Sequence, residues 1–336
     1  MGAPRVVGAV DIGGSHTFAA LFEVTERGLA MTRRVEGALD SQAPLPQLLE
    51  SITGTIRGLE PPPGLDWAIA LPGPFDYRRG VGTFEGVGKF QSLNGVDLRA
   101  AISAAVSAER EQVVFLNDAV AYGIGEWASS VPRPKRLVCI TLGTGVGSAF
   151  LADGRPVEDG AEVPPNGWVH LLQIRSRPLE ETVSTSAIQD AYAAATGSHS
   201  SVRAIADAAR RGDEAALNVL RTAMGELGRA LAPWFERFAA DEVVVGGSIS
   251  RSWDLIEQPL REAINDAVGP GGLAHSLRVS RLLDRAPLVG AAEWILRGPG
   301  ERTALPGPPG HQVERETKGC PSSCCSSGPL HTTPWP

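Results

Sequence analysis

The 336 residues of this chain, 43% of them hydrophobic, can bury a large core, and the length is one at which single cores divide into two lobes. The formal charge of −7 and the absence of a basic run argue against a nucleic-acid partner, because such binding needs clustered Lys and Arg. No apolar run approaches the roughly 20 residues that span a bilayer, so we expect no membrane partner.

The N-terminus and the cysteines indicate a cytoplasmic protein. An apolar strand starts at Val6, which leaves no room for a signal peptide before it. Cys139 lies in the part of the sequence with a folded pattern, whereas the other three cysteines lie in a tail rich in Pro, Gly and Ser. Their spacing matches no common zinc pattern. We expect a body without disulfides and a disordered tail over residues 299–336.

The first predicted element is a β-hairpin with a glycine turn. Residues 6–10 and 18–24 are apolar runs that flank the turn. Backbone N–H groups at such a turn can approach an anion because no Cβ intervenes, although an ordinary hairpin turn also favours glycine. The candidate phosphate ligands here are Gly13, Gly14, Ser15 and Thr17.

Asp11 ends the first strand beside this turn. A carboxylate next to phosphate oxygens is favourable when a cation lies between them, so the position predicts bound Mg²⁺. The alternative is that the Asp11 side chain caps the turn.

Helices alternating with strands follow, which is typical of an α/β lobe. The sequence predicts a helix over residues 45–58, a strand over 67–71 that Pro72-Gly73-Pro74 ends, a helix over 97–108, a strand over 113–116 and a helix over 119–128.

Asn117 and Asp118 lie between the last of these strands and the helix after it. Side chains at this position project over the carboxyl end of a sheet, where α/β proteins bind ligands. Asp118 is therefore the candidate general base of a phosphoryl-transfer reaction. Taken alone, the pair also suits a helix cap.

The order of strand, glycine turn and strand then recurs. Residues 136–142 and 148–152 flank a second turn, and two such turns in tandem are a stronger signal than one. The candidate phosphate ligands in this turn are Gly143, Thr144, Gly145 and Gly147.

The remaining predicted elements complete a second lobe. Helices occupy much of residues 185–238, and a strand over 242–245 ends in Gly246-Gly247, where bare backbone would accommodate an adenosine. An ordinary strand-to-helix turn is the alternative for this glycine pair. A helix around 253–268, a strand near 277–282 and an apolar helix over 288–296 follow, and we expect the last helix to pack on the first lobe.

With these segments in this order, the sequence resembles the ROK family of sugar kinases and repressors, within the superfamily of actin-like ATPases and hexokinases. The resemblance implies an α/β fold with two RNase H-like lobes and an active-site cleft between them. It implies an N-terminal lobe over residues 1–117, completed by a helix over 287–298, and a C-terminal lobe over 118–286.

The resemblance also assigns roles to residues. Residues 13–17 and 141–147 match the two phosphate motifs, and residues 246–249 match the adenosine motif. Asp118 corresponds to the base, while Gly73, Asn117, His170 and Glu180 correspond to residues that contact the sugar.

Two departures from the family pattern bear on cofactor and acceptor. Residues 171–179 lack the cysteines of the family's zinc loop, so we expect no structural zinc. Gly167 stands where a sugar-binding glutamate is usual, so one hydroxyl loses its partner unless Glu162 reaches the site. His170 is then either a direct substrate contact or a histidine satisfied in the core.

The expected function is an ATP- and Mg²⁺-dependent kinase that phosphorylates the primary hydroxyl of a hexose or of a C7 cyclitol, a hexose-like carbasugar of the valiolone type. The loss of a hydroxyl partner favours the cyclitol, because such partners discriminate strongly between ligands. The alternatives are a glucokinase proper and a non-catalytic sugar sensor. A ROK repressor would need a winged-helix domain before Val6. The family often forms dimers, so a homodimer is also expected.

Overall fold

The structure is a computed structural model that describes residues 4–269 and 276–297. The predicted tail over residues 299–336 lies outside the described residues. None of the helices in these two ranges combines the length and the apolar character that crossing a membrane requires.

The first half of the chain forms a five-stranded sheet in the order β3-β2-β1-β4-β7. Strands β1, β4 and β7 are parallel, and β2 and β3 are antiparallel additions. The elements of this half are β1 (Val6–Ile12), β2 (His16–Thr25), β3 (Gly28–Ala38), α1 (Leu45–Arg57), β4 (Asp66–Leu71), β5 (Phe75–Asp76), β6 (Val81–Gly82), α2 (Leu98–Val106) and β7 (Val113–Asn117).

The second half forms another five-stranded sheet in the order β10-β9-β8-β13-β14, with β8, β13 and β14 parallel. Its elements are α3 (Asp118–Ala128), β8 (Arg136–Leu142), β9 (Val146–Ala152), β10 (Arg155–Pro156), β11 (Gln173–Ile174), β12 (Arg177–Pro178), α4 (Glu180–Val183), α5 (Thr185–Thr196), α6 (Val202–Arg210), α7 (Glu214–Arg237), β13 (Glu242–Gly246), α8 (Trp253–Val268), β14 (Leu277–Val279) and α9 (Ala286–Leu296).

Each sheet thus begins with an antiparallel hairpin and continues with parallel strands that helices connect. The predicted α/β architecture of two lobes is confirmed. The lobe boundary between residues 117 and 118 stays a prediction.

Strand β3 is an element that the apolar pattern did not predict. It is an edge strand whose residues are exposed or half-buried, and Arg33, Arg34 and Glu36 interrupt its apolar positions. Charged side chains on an edge strand oppose pairing with other chains, and they also remove the alternation from which a strand is recognised.

Helices α3 and α9 pack on each other between the sheets. Helix α9 lies against β1, β2 and β4, while α3 lies against β8 and β9. Gly125 and Gly290 allow the close approach, because a Cβ on Gly290 would lie 1.7 Å from the Ala121 carbonyl oxygen. The last helix of the second half thereby covers the first sheet.

Residue Glu126 of α3 fixes the connection from β14 back to α9. Its carboxylate is 1% exposed and accepts hydrogen bonds from the Ser280 hydroxyl at 2.6 Å and the Leu282 N–H at 2.9 Å. Arg278 pairs with it at 2.6 Å, and the Tyr122 hydroxyl donates to Ser280 at 2.8 Å. The predicted strand near residues 277–282 therefore ends at Val279, since the next backbone groups turn toward Glu126.

Candidate active site

The glycine-rich segments lie at the carboxyl ends of parallel strands and face one cleft of about 640 Å³. Twelve of the predicted site residues line this cleft: Gly13, Gly14, Gly73, Asn117, Asp118, Gly143, Thr144, Gly145, Gly147, His170, Glu180 and Gly247. The other four, which do not line it, are Asp11, Ser15, Thr17 and Gly246.

The turn between β1 and β2 is held by backbone hydrogen bonds. The Gly13 N–H donates to the His16 carbonyl at 2.9 Å, and the Ser15 carbonyl accepts from the Leu39 N–H at 2.8 Å. A Cβ on Gly14 would meet no atom within 4 Å, so this residue presents open backbone to the cleft. The turn is thus rigid and accessible, as an anion-binding turn requires.

Two hydroxyl groups of this segment lie away from the cleft, contrary to the prediction. Thr17 is completely buried, and its hydroxyl has no hydrogen-bond partner among the residues that the structure describes. It belongs to the same face of β2 as the buried Ala19 and Leu21, because side chains alternate along a strand. The exposed Ser15 hydroxyl lies 2.9 Å from the His16 ring nitrogen Nδ1.

The turn between β8 and β9 carries an acidic side chain from a different element. The Gly143 N–H donates to the Gly145 carbonyl at 3.0 Å, which shapes the turn. The Val146 N–H donates to Oε2 of Glu180 at 2.8 Å. A Cβ on Gly145 would lie 2.6 Å from that same oxygen. The predicted phosphate turn therefore also positions the predicted sugar ligand Glu180.

The glycine pair after β13 lies next to this turn, since Gly246 is in register with Thr141 of β8. Gly247 has a φ of +83°, and a Cβ there would lie 2.3 Å from the Leu142 carbonyl. Gly246 lies under the Tyr122 ring, which would be 2.5 Å from an added Cβ. Both positions thus require glycine, and Gly247 presents its backbone to the cleft.

Asn117 caps helix α3 and also lines the cleft. Its Oδ1 accepts from the N–H groups of Ala119 at 3.0 Å and Val120 at 3.2 Å. Its Nδ2 donates to the Tyr77 hydroxyl at 3.2 Å. The helix-cap interpretation is therefore correct for Asn117, and one amide N–H remains for a ligand.

Asp118 begins helix α3 at the floor of the cleft. Its Oδ1 accepts from the Ala119 N–H at 2.9 Å. Burial raises the pKa of this carboxyl, while the ammonium of Lys89 acts in the opposite direction. A carboxylate with a raised pKa is a stronger base than an exposed one, which suits proton abstraction.

Comparison with known proteins identifies the family. The model of the ROK family matches residues 7–297, which is most of the chain. The chain belongs to the ROK family. The resemblance that the glycine segments predicted is thereby confirmed.

The relatives of this ROK protein include sugar kinases and a regulator. A curated glucokinase of Thermotoga maritima is 27% identical over 314 residues, which cover 85% of this chain and 96% of the relative. The fold is similar to that of a ROK family glucokinase from Streptomyces griseus, solved with glucose and AMPPNP, at a TM-score of 0.69 and 22% identity; the match covers 86% of this chain and 98% of that one.

A ROK family transcriptional regulator, described as a homologue of the E. coli MLC protein, has a similar fold as well. Its TM-score is 0.69 at 20% identity, with 86% of this chain and 77% of the regulator covered. Fold likeness therefore does not separate kinases from regulators, and the site must do so.

The carboxylate of Asp11 in this ROK protein suits a magnesium ion. Burial, and next the charge of Asp118, raise its pKa to about 7, and no residue in the described ranges donates a hydrogen bond to it. In residues 4–269 and 276–297, no group of three or more His, Cys, Asp or Glu side chains is arranged so that it could hold a metal ion. Magnesium is commonly held by one or two carboxylates together with phosphates and water, so the donors fit this ion.

His170 lines the cleft beside Trp168, with ring centroids 5.7 Å apart. Burial lowers the pKa of His170, and the charge of Glu180 partly offsets this effect. The imidazole is consequently neutral near pH 7 and can both donate and accept a hydrogen bond. The structure places His170 at the wall of the cleft, and its contact with the substrate stays a prediction.

Residues 171–179, where the family's zinc loop was expected to be missing, contain the β11–β12 hairpin. Residues Arg175 and Ser176 at its turn have φ angles of +49° and +64°. The absence of structural zinc stays a prediction.

The lining residues that sequence reasoning missed include Tyr77, Glu158 and Trp168. It considered Glu162 as a substitute for the carboxylate absent at Gly167, but Glu162 pairs with Arg136 at 2.9 Å and does not line the cleft. An arginine partner outside the site holds this side chain away. The same loop instead presents Glu158 to the cleft.

Proposed function

We propose that this protein is an ATP-dependent kinase that transfers the γ-phosphate to the primary hydroxyl of a hexose or a hexose-like carbasugar, with Asp118 as general base. The observation that carries this proposal is the position of Asp118, a half-buried carboxylate that lines one cleft together with residues of both glycine turns. A sensor has no need of a base beside a phosphate site. The curated glucokinase relative supports the same reaction class.

The nucleotide would lie along the three glycine segments. Its adenosine would lie against Gly247, and its phosphates would accept hydrogen bonds from N–H groups of the two turns. Magnesium, when bound near Asp11, neutralises charge on the phosphates. Asp11, near the end of β1 and next to the first turn, would orient the phosphates through this ion.

The acceptor would lie on the opposite side of Asp118. Asn117 offers one amide N–H, His170 a neutral ring, and Glu180 a carboxylate oxygen that the second turn leaves free. A hydroxyl held by these groups would lie next to the Asp118 carboxylate, which takes its proton as the oxygen attacks the γ-phosphorus. The bond from that phosphorus to the β–γ bridging oxygen breaks, and ADP leaves. Positioning and charge stabilisation supply most of the catalysis in such reactions.

A C7 cyclitol of the valiolone type is the finer proposal for the acceptor. Gly167 offers no side chain to a ligand, so the hydroxyl partners differ from those of a site built for glucose. Glucose is the second candidate, because the relative from Thermotoga maritima is a glucokinase.

The deciding experiment is ATP-dependent product formation with Mg²⁺ on a panel of hexoses, N-acetylhexosamines and C7 cyclitols, read by mass spectrometry. A gain of one phosphate on a panel member supports the kinase and names the acceptor. Better turnover of glucose than of every cyclitol would reject the cyclitol. Nucleotide binding without any product would favour a sugar-sensing protein, the class that the similar fold of the regulator keeps open.

Replacing Gly145 with Ala is expected to raise the KM for the acceptor by roughly tenfold, and by more than it raises the KM for ATP. The added Cβ would overlap Glu180 Oε2, which lies 2.6 Å away, and would break its hydrogen bond with Val146, a loss of about 1 to 2 kcal/mol. Steady-state kinetics with each substrate varied would measure both constants. Gly88→Ala is the control, because its Cβ would meet no atom within 4 Å and Gly88 does not line the cleft. Equal acceptor KM values in the two variants would contradict the role of Glu180.

A further inference from the structure

We propose that Glu158 determines acceptor specificity: its carboxylate accepts a hydrogen bond from an acceptor hydroxyl. This inference rests on the proposed kinase function, because it assigns a residue to the acceptor half of the same cleft. Neither the predicted motifs nor the family match assigns a role to this position.

Glu158 follows the short edge strand β10 and is one of three consecutive residues that line the cleft, with Pro156 and Val157. The backbone before it is fixed, because the Val157 N–H donates to the Phe150 carbonyl at 2.8 Å. The loop therefore holds Glu158 at the cleft wall.

The carboxylate of Glu158 has no partner among the described residues, although it is half-buried. Glu162 of the same loop differs, since it forms an ion pair with Arg136 at 2.9 Å. Burial, and next the charge of Asp159, raise the pKa of Glu158 to about 7. Buried carboxylates usually have hydrogen-bond donors, so this side chain has an unused acceptor that a ligand can satisfy.

Glu158 faces the acceptor half of the cleft. Glu158, Tyr77 and Asn117 line the same cleft, and the Tyr77 hydroxyl accepts a hydrogen bond from Asn117 at 3.2 Å. Burial, and to a lesser degree the charges of Asp118 and Glu158, raise the pKa of Tyr77. Asn117 directly precedes the proposed base. A ring held by Asn117 would have further hydroxyls in the direction of Glu158.

The space beside Glu158 is kept open by Gly167. This residue has a φ of +68°, and an added Cβ would lie 3.6 Å from the Val157 carbonyl oxygen and 3.9 Å from the Phe150 ring. A larger residue there would bring a side chain toward residues 157 and 158. With glycine, a ligand can approach the carboxylate of Glu158 directly.

The ligand chemistry that fits is a hydroxyl group on a ring. A carboxylate accepts hydrogen bonds from hydroxyls, and charged acceptors form stronger bonds than neutral ones. A site that bonds a specific hydroxyl rejects analogues that lack it by a large factor, since the buried acceptor is then left unpaired. Glu158 would therefore select among acceptors that share the primary hydroxyl.

The test compares Glu158→Gln with the neighbouring control Asp159→Asn, whose side chain is exposed and does not line the cleft. With the acceptor that the wild type phosphorylates, Glu158→Gln is expected to raise the acceptor KM about tenfold or more and to leave the KM for ATP unchanged. Asp159→Asn is expected to change the acceptor KM much less, because it leaves the Glu158 carboxylate in place and removes only a neighbouring charge. Thermal midpoints of the variants check that each is folded.

Deoxy analogues of that acceptor, each lacking one hydroxyl, identify the partner group. The wild type is expected to use one of these analogues much less well than the parent, and Glu158→Gln is expected to use the two about equally. Acceptor KM values that are the same in Glu158→Gln and Asp159→Asn would overturn the inference.

The role of Glu158 can be tested even if the protein is not a kinase. If the wild type phosphorylates no panel member, calorimetric binding of the panel in the absence of turnover replaces the KM. Binding that weakens in Glu158→Gln and not in Asp159→Asn would uphold the role of Glu158 and reject the kinase. Equal binding in both variants, or no binding to the wild type, would overturn the inference.

Discussion

Replacing Asp118 with Asn is expected to lower kcat by roughly 10²- to 10⁴-fold, because the variant has no carboxylate to take the proton of the attacking hydroxyl. Asn has nearly the same shape, and its amide oxygen can still accept from the Ala119 N–H that lies 2.9 Å from Oδ1. Acceptor and nucleotide binding should therefore persist. Steady-state kinetics would measure kcat, and calorimetry would measure both affinities.

The pH profile gives a second readout of the same residue. The deprotonated carboxylate is the active form, and burial raises the pKa of Asp118 above its ordinary value. The kcat/KM of the wild type should consequently decline at a higher pH than an exposed Asp would give, as the pH is lowered through this raised pKa. The residual activity of Asp118→Asn should lack that acid limb.

Asp159→Asn again serves as the matched control, since it makes the same chemical change on an exposed side chain outside the cleft. It should retain the wild-type kcat and pH profile. A kcat of Asp118→Asn within a few-fold of the wild-type value would exclude Asp118 as the base. The proton of the attacking hydroxyl would then need a different acceptor.

Replacing Glu126 with Ala is expected to lower the free energy of unfolding by about 3 to 5 kcal/mol, the usual cost of removing one partner of a buried ion pair. The carboxylate is 1% exposed, and its removal leaves Arg278 without the partner at 2.6 Å and the Ser280 and Leu282 donors without an acceptor. Urea unfolding of wild type and variant would measure the difference.

Glu242→Ala is the control for this prediction, because Glu242 also pairs with Arg278, at 2.5 Å, but is partly exposed at 23%. Its loss should cost clearly less, since water can replace an exposed partner. Equal losses in the two variants would show that Arg278 alone, and not the backbone turn around Glu126, sets the stability of this connection.

The sequence was informative where chemistry is concentrated in short segments. Gly13, Asp118 and Gly145 lie within local patterns of strand, turn and helix, and parallel strands bring their carboxyl ends to one edge of a sheet. The meeting of these residues in one cleft could therefore be predicted without coordinates.

Residues that reach the site through tertiary packing could not be predicted in this way. Tyr77 contacts Asn117, which is 40 positions later in the chain, and Glu158 reaches the cleft from an irregular loop. No periodicity marks such positions. Glu162 was as plausible as Glu158 until its pairing with Arg136 was visible.

The position of Thr17 could have been inferred. The buried Ala19 and Leu21 follow it at intervals of two, and this alternation assigns all three side chains to one face of β2. The alternation of side chains along β2 therefore determines the position of Thr17, although its hydroxyl group suggested a phosphate contact.

Helix α3 carries residues with three different roles on one side, so a substitution that affects one role can affect the others. Asp118, Tyr122 and Glu126 recur at intervals of four and so share one side of the helix over about 12 Å. Asp118 is the proposed base, Tyr122 packs over Gly246, and Glu126 accepts hydrogen bonds from the connection that leads to α9. Because the three residues belong to one helix, their positions are linked. A substitution that shifts or rotates α3 would therefore disturb the proposed base, the glycine pair proposed to bind the adenosine, and the connection between β14 and α9 together.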